Sequence, residues 1–291
     1  MHDSVSIARI RRFNRAVTTE VGALDTSFLG RGRPLGAARV LNAVEPMGGD
    51  LARMRDYLGL DSGLMSRLLR GLEDEGLLSV GPHPEDGRRR MVSLTAKGSD
   101  EARHYNRLSD DRAARLLSHH PRPDALLAAM DLVASALGQH RIDIVETDPR
   151  SPEAVSCLQS YYGELARRLA QGFDVNLSRD PEAAAMQAPR GAFLVALSDG
   201  MPIGCVGLKG GEDYAEIKRL WVAPHARGLK LAIRLMEEAE TRARMLGLSL
   251  LRLDTNSALP EAAALYDRLG WTRIDRFNDD PYPDLFFEKV L

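Results

Sequence analysis

Apolar residues recur with two different rhythms along the chain, and the change of rhythm divides it into two halves. Through the first half they return every three or four residues, which is the spacing of one face of an α-helix. The helices predicted there cover residues 5–24, 35–44, 51–58 and 63–75. In the second half, β-branched and apolar runs suited to covered strands alternate with helical segments. The pattern predicts a mainly helical domain followed by an α/β domain.

The last two of these helices are joined by a short turn that contains Gly59. This is the helix-turn-helix arrangement, in which the second helix can lie in the major groove of DNA. On that helix Leu64, Leu68 and Leu72 are expected to pack inward. The residues expected to face outward, as a surface that reads DNA, are Ser62, Met65, Ser66, Arg67 and Arg70.

Two short strands follow, at residues 77–80 and 91–94, and they are predicted to form a hairpin, the wing of a winged helix. The basic residues in its loop are Arg88, Arg89 and Arg90. The formal net charge of −2 gives the whole chain no basic field, so any DNA binding must come from the local placement of basic residues. The cluster of arginines at the wing tip is such a placement and favours DNA binding. The competing interpretation is a winged helix used only for dimerisation or protein contact.

The wing resembles the MarR family, in which Asp, one residue and Arg precede an apolar strand ending in Leu-Thr-x-x-Gly. Here these positions are Asp86, Arg88 and the segment from Leu94 to Gly98. The resemblance implies that Arg88 enters the minor groove and that Asp86 steadies the loop through a salt bridge. It also implies that two further helices, near residues 96–118 and 121–138, pair two copies of the chain into a homodimer. The two wings of this homodimer would then read a pseudo-palindromic DNA site.

The most informative stretch of the second half runs from Glu216 to Ala232 and joins a strand to a helix predicted between about Arg227 and Gly247. Such a turn presents backbone N–H groups at the positive end of a helix dipole, where a pyrophosphate binds well. Gly228 lets the backbone approach the ligand closely. The predicted phosphate cradle consists of Arg227, Gly228, Leu229, Lys230, Leu231 and Ala232.

This stretch resembles the GNAT superfamily of N-acetyltransferases, whose signature is Arg or Gln, two residues, Gly, one residue, and Gly or Ala. The matching positions are Arg227, Lys230 and Ala232, so a lysine stands where the family usually has glycine. Either the backbone lies further from the phosphates, or the lysine adds charge for CoA. We favour the second, because a lysine is well tolerated in a helix. The resemblance implies a mixed sheet and acetyl-CoA as cosubstrate.

The same resemblance assigns four further residues. Backbone groups of Leu220 and Val222 would pair with the pantetheine arm, Asn256 would contact it, and Tyr266 would face the cofactor sulfur. A phenol suits that position, because the departing thiolate needs a proton. The alternative for Tyr266 is a half-buried core residue whose hydroxyl is satisfied elsewhere.

Acetyl transfer to an amine also needs a group that takes a proton from the ammonium, and a carboxylate on a neighbouring strand suits this task. Glu216 is the candidate, at the separation from Arg227 that the resemblance leads us to expect. The alternative is a carboxylate that pairs with Lys218 or Arg219, or is solvated at the sheet surface.

A length of 291 residues is suited to about two domains, and we place them at residues 1–139 and 140–291. The N-terminus has no apolar signal segment, and no run is long enough to span a bilayer, so we expect a cytoplasmic protein without membrane contact. The two cysteines and seven histidines have no metal-ligand spacing, so we expect no metal site.

The sequence thus predicts a MarR-like winged helix fused to an acetyltransferase that acts on a primary amine. Two alternatives stay open: a transcription regulator whose second domain only senses an acyl-CoA or an amine, and an enzyme whose winged helix is only a dimer platform. By the resemblance, the acceptor lies near residues 161–180 and 277–287. The residues do not distinguish a free amino acid, another small amine and a protein lysine.

Overall fold

A computed structural model of the protein describes residues 4–83, 86, 88–178, 183 and 185–291. The chain forms two compact units, Met1–Pro123 and Asp124–Leu291. The division comes at the beginning of the helix near residues 121–138 rather than at its end. That helix therefore belongs with the second unit, whereas the sequence placed it with the first.

The first unit consists of helices around a two-stranded hairpin. Its helices are α1 (Ser4–Glu20), α2 (Leu35–Ala43), α3 (Leu51–Leu58), α4 (Ser62–Asp74) and α5 (Ala96–His119). The strands β1 (Leu78–Pro82) and β2 (Arg90–Leu94) pair antiparallel, with Val80 opposite Val92. This confirms the predicted helix-turn-helix and wing.

The core of the first unit is built from α2, α3, α4, α5 and the hairpin. The inward face of α4 consists of Met65, Leu69 and Leu72, while Leu64 and Leu68 are only half-buried. The observed inward face is therefore rotated by about one residue from the face predicted at Leu64, Leu68 and Leu72. Both sets have helical spacing, so periodicity gave the apolar face of α4 but did not fix which residues lie at its centre.

The second unit consists of a seven-stranded sheet with helices packed on it. Its helices are α6 (Pro123–Gly138), α7 (Pro152–Arg168), α8 (Leu231–Met245) and α9 (Pro260–Arg268). Its strands are β3 (Ile142–Glu146), β4 (Ala192–Ser198), β5 (Met201–Gly210), β6 (Ala215–Val222), β7 (Leu250–Thr255), β8 (Thr272–Ile274) and β9 (Leu285–Val290). The order across the sheet is β3-β4-β5-β6-β7-β9-β8. All neighbouring pairs are antiparallel except β6 and β7, so the mixed sheet is confirmed.

The two parallel strands of this sheet separate along their length. They pair only from Ala215 opposite Leu251 to Ile217 opposite Leu253. Just beyond that point β6 has a bulge against β5, because its register shifts between the pairs Gly207–Lys218 and Cys205–Trp221. The bulge includes Arg219, whose φ of 58° is unusual for a residue with a side chain. The result is a gap in the middle of the sheet.

Helix α8 packs against β4, β5 and β6, and a short 3-10 turn at Pro224–Ala226 leads towards it. Its first residue is Leu231, so the helix start predicted near Arg227 came too early. Within the part of the chain that the structure describes, no helix combines the length and apolar character needed to cross a membrane.

Candidate active site and nucleic-acid interface

The turn before α8 presents a row of backbone amides. Among the described residues, none accepts a hydrogen bond from the backbone N–H groups of residues 228–232. These residues border a cavity of about 1220 Å³, which we call the larger cavity. Unsatisfied N–H groups at the beginning of a helix form a favourable site for an anion. The turn is thus suited to a phosphate, as the sequence predicted.

Lys230 has a different backbone from the one expected. It is the residue that caps α8, with φ 60° and ψ 16°, and not a residue within the helix. The tolerance of lysine inside helices therefore does not apply to Lys230. A left-handed conformation disfavours any side chain by roughly 1–2 kcal/mol, and this explains why glycine suits the signature here. The exposed Lys230 side chain lies at the edge of the larger cavity.

Arg227 is held by other residues of the unit. Its Nε donates to the carbonyl oxygen of Val222 at 3.0 Å, and its Nη2 donates to Glu164 Oε2 at 2.6 Å. Glu164 also accepts from Trp221 Nε1 at 3.1 Å. Burial alone would raise the pKa of Glu164, but the hydrogen bond and charge of Arg227, together with the hydrogen bonds from Trp221 and Arg168, leave that pKa below its usual range. Glu164 was not predicted from the sequence, because nothing local to α7 indicates a partner on the far side of the turn.

A second, smaller cavity of about 120 Å³ lies where β6 and β7 separate. The two cavities share lining residues, so they adjoin. The shared residues are Tyr161, Leu165, Leu220, Leu259 and Ala262. Leu220 was predicted beside the pantetheine arm, and its place between the cavities is compatible with that role.

Tyr266 lies in the wall of the smaller cavity and is 5% exposed. Its ring packs on those of Trp271 and Phe287, at centroid distances of 6.2 and 5.6 Å. Burial raises the pKa of Tyr266, and the negative charge of Asp254 adds to the effect. The phenol therefore keeps its proton at neutral pH, which is the state that a proton donor needs.

Glu216 is buried and its Oε2 lies 3.5 Å from Lys218 Nζ. It is not among the described residues that line either cavity. The carboxylate that lines the smaller cavity is Asp254 on β7, whose Oδ2 accepts from Lys218 Nζ at 2.6 Å and from Asn278 Nδ2 at 2.6 Å. Lys218 thus stands between the predicted base and a second carboxylate that the sequence did not single out.

Asn256 also lines the smaller cavity, but both ends of its amide have partners in the chain. Its Nδ2 donates to the carbonyl oxygen of Tyr282 at 2.6 Å, and its Oδ1 accepts from the backbone N–H of Ala258 at 2.8 Å. The side chain therefore holds the loop before β9 against the end of β7. Its predicted contact with the pantetheine arm stays a prediction.

In the first unit, the residues predicted to read DNA lie on the turn and exposed side of α4. Gly59 ends α3 with a φ of 64°, and the Asp61 side chain accepts from the backbone N–H of Leu64 to begin α4. The exposed members of the predicted surface are Ser62, Ser66, Arg67 and Arg70. Met65 is only 2% exposed and belongs to the core, so its placement on that surface was wrong.

The wing tip is organised by two aspartates. Asp86 Oδ1 accepts from the backbone N–H of Arg88 at 3.0 Å, so it shapes the loop through a turn. The salt bridge expected of Asp86 stays a prediction. The Arg89 guanidinium pairs with Asp50, which also caps α3. Arg88 and Arg90 are exposed. The wing residues Pro84, Glu85 and Gly87 lie outside the described residues.

Comparison with known proteins gives two family matches. The model described as "Acetyltransferase (GNAT) family" matches residues 128–271, and the model described as "MarR family" matches residues 31–89. A protein named IAA acetyltransferase, from Azospirillum brasilense, is 37% identical over 136 residues, which are 44% of this chain and 86% of that protein.

A protein of Schizosaccharomyces pombe named as an uncharacterized N-acetyltransferase is 35% identical over 105 residues. This match covers 35% of the chain and 64% of the yeast protein, so the chain spans less than two thirds of that relative. A crystal structure of an acetyltransferase of the GNAT family from Staphylococcus aureus Mu50 aligns with 18% identity and a TM-score of 0.45, covering 51% of this chain and 98% of the other.

Proposed function

The chain belongs to the GNAT acetyltransferase family and carries a MarR family winged helix ahead of that domain, and from this premise we propose that it transfers an acetyl group from acetyl-CoA to a primary amine and binds double-stranded DNA. The observation that most supports the transfer is the meeting of the two cavities. One is bordered by backbone amides suited to phosphates, and the other by Tyr266 and Asp254.

The donor is placed by its charge and by its length. Its pyrophosphate would accept hydrogen bonds from the amides of residues 228–232, and its pantetheine arm would run past Leu220 towards the smaller cavity. The thioester would then lie near Tyr266. An acetyl group is the acyl chain that leaves most of a 120 Å³ cavity for an acceptor.

The reaction is a direct attack in a ternary complex. The amine nitrogen bonds to the thioester carbonyl carbon, and the carbon–sulfur bond then breaks. Before the attack, the acceptor ammonium would give one proton to a carboxylate, directly or through a water. The departing thiolate would receive a proton from Tyr266, and the second proton that the nitrogen loses as the amide forms would return to the Tyr266 oxygen through water. Since Asp254 lines the cavity and Glu216 does not, we assign the base role to Asp254 and keep Glu216 as the alternative.

The first test is calorimetric titration of the full chain with acetyl-CoA, followed by an amine screen for release of free CoA. Micromolar binding with amine-dependent release is expected. No binding near millimolar acetyl-CoA would overturn the assignment of the larger cavity. Binding without release by any amine would select the alternative in which the domain only senses its ligand, an alternative that Lys230 in place of the signature glycine keeps open.

For the winged helix we propose DNA binding as a homodimer, with α4 in the major groove and Arg88 in the minor groove. Helix α1 has no buried residue, although its sequence is partly apolar. Its exposed apolar side chains are Val5, Ile7, Ile10, Phe13 and Val17. Such a face on a regulator of this family is suited to a second copy of the chain.

The DNA proposal is tested by selecting sequences from random duplex DNA and by measuring binding at several salt concentrations. Enrichment of a pseudo-palindrome is expected. The variant Arg88→Ala should reduce the slope of log affinity against log salt by about 1, and Arg39→Ala, also on this unit but outside the predicted surface, is the matched control. Failure to enrich any sequence would favour a dimer platform.

A further inference from the structure

We propose that the acceptor enters as the ammonium ion of an aliphatic primary amine, and that the carboxylate of Asp280 binds this ammonium beside an aromatic wall. Asp280 lies in the loop before β9 and lines the smaller cavity. The proposal rests on the transfer reaction proposed above and names the class of amine for it. Aliphatic amines are strongly basic and carry a proton near neutral pH, whereas arylamines and hydroxylamines are neutral there.

Asp280 is a buried carboxylate without a cationic partner. It is 7% exposed, and its Oδ1 accepts from the backbone N–H of Tyr282 at 3.3 Å, which is long for such a bond. Arg276 donates to the backbone carbonyl oxygen of Asp280 at 3.0 Å. No lysine, arginine or histidine among the described residues forms an ion pair with the carboxylate. Burying a charge without a partner is costly, so a cationic ligand is expected to supply the missing charge.

The other carboxylate in the wall of this cavity is already paired. Asp254 Oδ2 accepts from Lys218 Nζ and from Asn278 Nδ2, each at 2.6 Å. Glu216 is not among the described residues that line the cavity. Of the described acidic residues in the wall, Asp280 is therefore the one whose charge is left for a ligand.

Asn278 connects the two carboxylate residues. Its Nδ2 donates to Asp254, and its Oδ1 accepts from the backbone N–H of Asp280 at 3.1 Å. One side chain thus fixes both residues in the wall of the same cavity. An ammonium bound to Asp280 would give its proton to Asp254, directly or through a water, as the proposed transfer requires. Asp280 would keep its negative charge throughout, so its role is to bind and not to take the proton.

The wall beside Asp280 is aromatic. The ring of Phe173 lies between those of Tyr162 and Tyr282, with centroid distances of 5.5 and 4.7 Å. All three residues line the cavity. The faces of aromatic rings attract cations, and the attraction is strongest where water is excluded. A carboxylate and aromatic rings in one wall therefore suit an ammonium with an apolar group attached.

The loop that carries Asp280 is held in place by the chain itself. The Tyr282 hydroxyl accepts from the backbone N–H of Asp174 at 2.8 Å and donates to the Asp174 carbonyl oxygen at 3.1 Å. Asn256 donates to the Tyr282 carbonyl oxygen, and Arg276 donates to that of Pro283 at 2.7 Å. A ligand therefore meets a preformed wall and does not have to order it.

The basic residues of the cavity approach it from other strands. They are Lys209 on β5 and Lys218 and Arg219 on β6. In the sheet, β7 lies between β6 and β9, and Lys218 is held by Asp254. The loop before β9 is therefore the part of the wall where a negative charge stands without a cation beside it.

The experiment compares charged and neutral acceptors of similar shape, with the full chain and saturating acetyl-CoA near neutral pH. The pairs are benzylamine with O-benzylhydroxylamine, and ethylamine with methoxyamine. The first member of each pair is an ammonium ion and the second is neutral. We expect Asp280→Asn to raise KM for the charged acceptors by roughly 10- to 100-fold. KM for the neutral acceptors and kcat for both kinds should change by less than about 3-fold.

The matched control is Asp279→Asn, which removes the same charge one residue away. Asp279 is exposed and is not among the described residues that line the cavity, so its variant should leave KM for both kinds of acceptor within about 3-fold. Asn at position 280 can still accept from the backbone N–H of Tyr282, so the loop is expected to keep its shape. Thermal unfolding and titration with acetyl-CoA check that both variants are folded.

A measurement on the unchanged protein is independent of how the variants fold. N,N-dimethylbenzylamine is a cation that cannot form a stable amide, and benzyl alcohol is neutral. The cation should compete with benzylamine at a concentration at least about 10-fold lower than the alcohol. Equal competition by the two compounds would overturn the proposal.

Three results with the variants would also overturn it: an unchanged KM for the charged acceptors in Asp280→Asn, an equal rise of KM for charged and neutral acceptors, or a fall in kcat with KM unchanged. The first denies the contact, the second indicates a role in loop shape alone, and the third makes Asp280 the proton acceptor. Failure of the transfer reaction itself would look different, because no amine would then release CoA from the unchanged protein.

Discussion

The two adjoining cavities of the second unit are built from different parts of the chain. The turn of the larger one offers backbone N–H groups from a single stretch, residues 228–232. The smaller one is formed by side chains from α7, β5, β6, β7, α9 and the loop before β9. A site made of backbone tolerates changes of side chain, whereas a site made of side chains depends on each of them. Side-chain substitutions should therefore lower activity strongly around the smaller cavity and change cofactor affinity little in the turn.

The largest effect should come from Asp254→Asn. If Asp254 is the base, this change should lower kcat by about 10²- to 10⁴-fold, and Glu216→Gln should lower it by less than about 10-fold. The measurement is kcat for both variants across pH with saturating acetyl-CoA. The reverse order would return the base role to Glu216, and equal small effects would show that neither carboxylate takes the proton.

Tyr266→Phe should lower kcat by about 10²-fold while changing the affinity for acetyl-CoA little. Because the pKa of Tyr266 is raised by burial and by Asp254, its protonated form persists to higher pH than that of an ordinary tyrosine. The rate should therefore not fall through loss of this proton until the pH is above about 10. An alkaline decline centred below that value and absent from the variant would contradict the assignment.

Lys230 tests whether a side chain matters in the backbone-built turn. Lys230→Glu should weaken acetyl-CoA binding by about 10-fold at low salt and less at high salt, because a carboxylate would repel the phosphates. Lys230→Gly should raise stability by up to about 1 kcal/mol, since glycine accepts the left-handed backbone. Binding unchanged in Lys230→Glu would show that the lysine contributes nothing to the cofactor.

The smallest effect is expected from Leu229→Ala. Its amide remains, and only a half-buried side chain is shortened, so the affinity for acetyl-CoA should change by less than about 3-fold. The affinity is measured by titration, with thermal unfolding as the control for folding. A loss above 10-fold in a variant with normal unfolding would break the comparison, because it would show that a side chain in this turn is essential.

The sequence predicted those features of the fold and the site that lie within one short stretch of the chain. The strand, turn and helix around Arg227 lie within one short stretch, and the hairpin of the wing does too, so both were predicted and are confirmed. The start of α8 was placed too early, because the left-handed conformation of Lys230 is not visible in a residue type that usually suits a helix.

Features that depend on distant partners were not predicted. Whether Glu216 or Asp254 reaches the cavity depends on where β6 and β7 stop pairing, which is decided between strands far apart in sequence. The burial of Met65 depends on how α4 packs against α2 and β1. Likewise, Tyr282 is held in the wall of the smaller cavity by a hydrogen bond between its loop and the segment after α7.

One hydrogen bond bears on how the gene can be divided. Ser135 in α6 is 3% exposed, and its Oγ lies 2.8 Å from Nδ1 of His225, two residues before Arg227. A fragment that began at residue 140 would lack this partner and would leave His225 without its anchor beside the phosphate turn. A fragment that began at residue 124 would keep both. A division of the gene that keeps this hydrogen bond should therefore come before α6, which then stays with the second unit instead of the first, where the sequence had placed it.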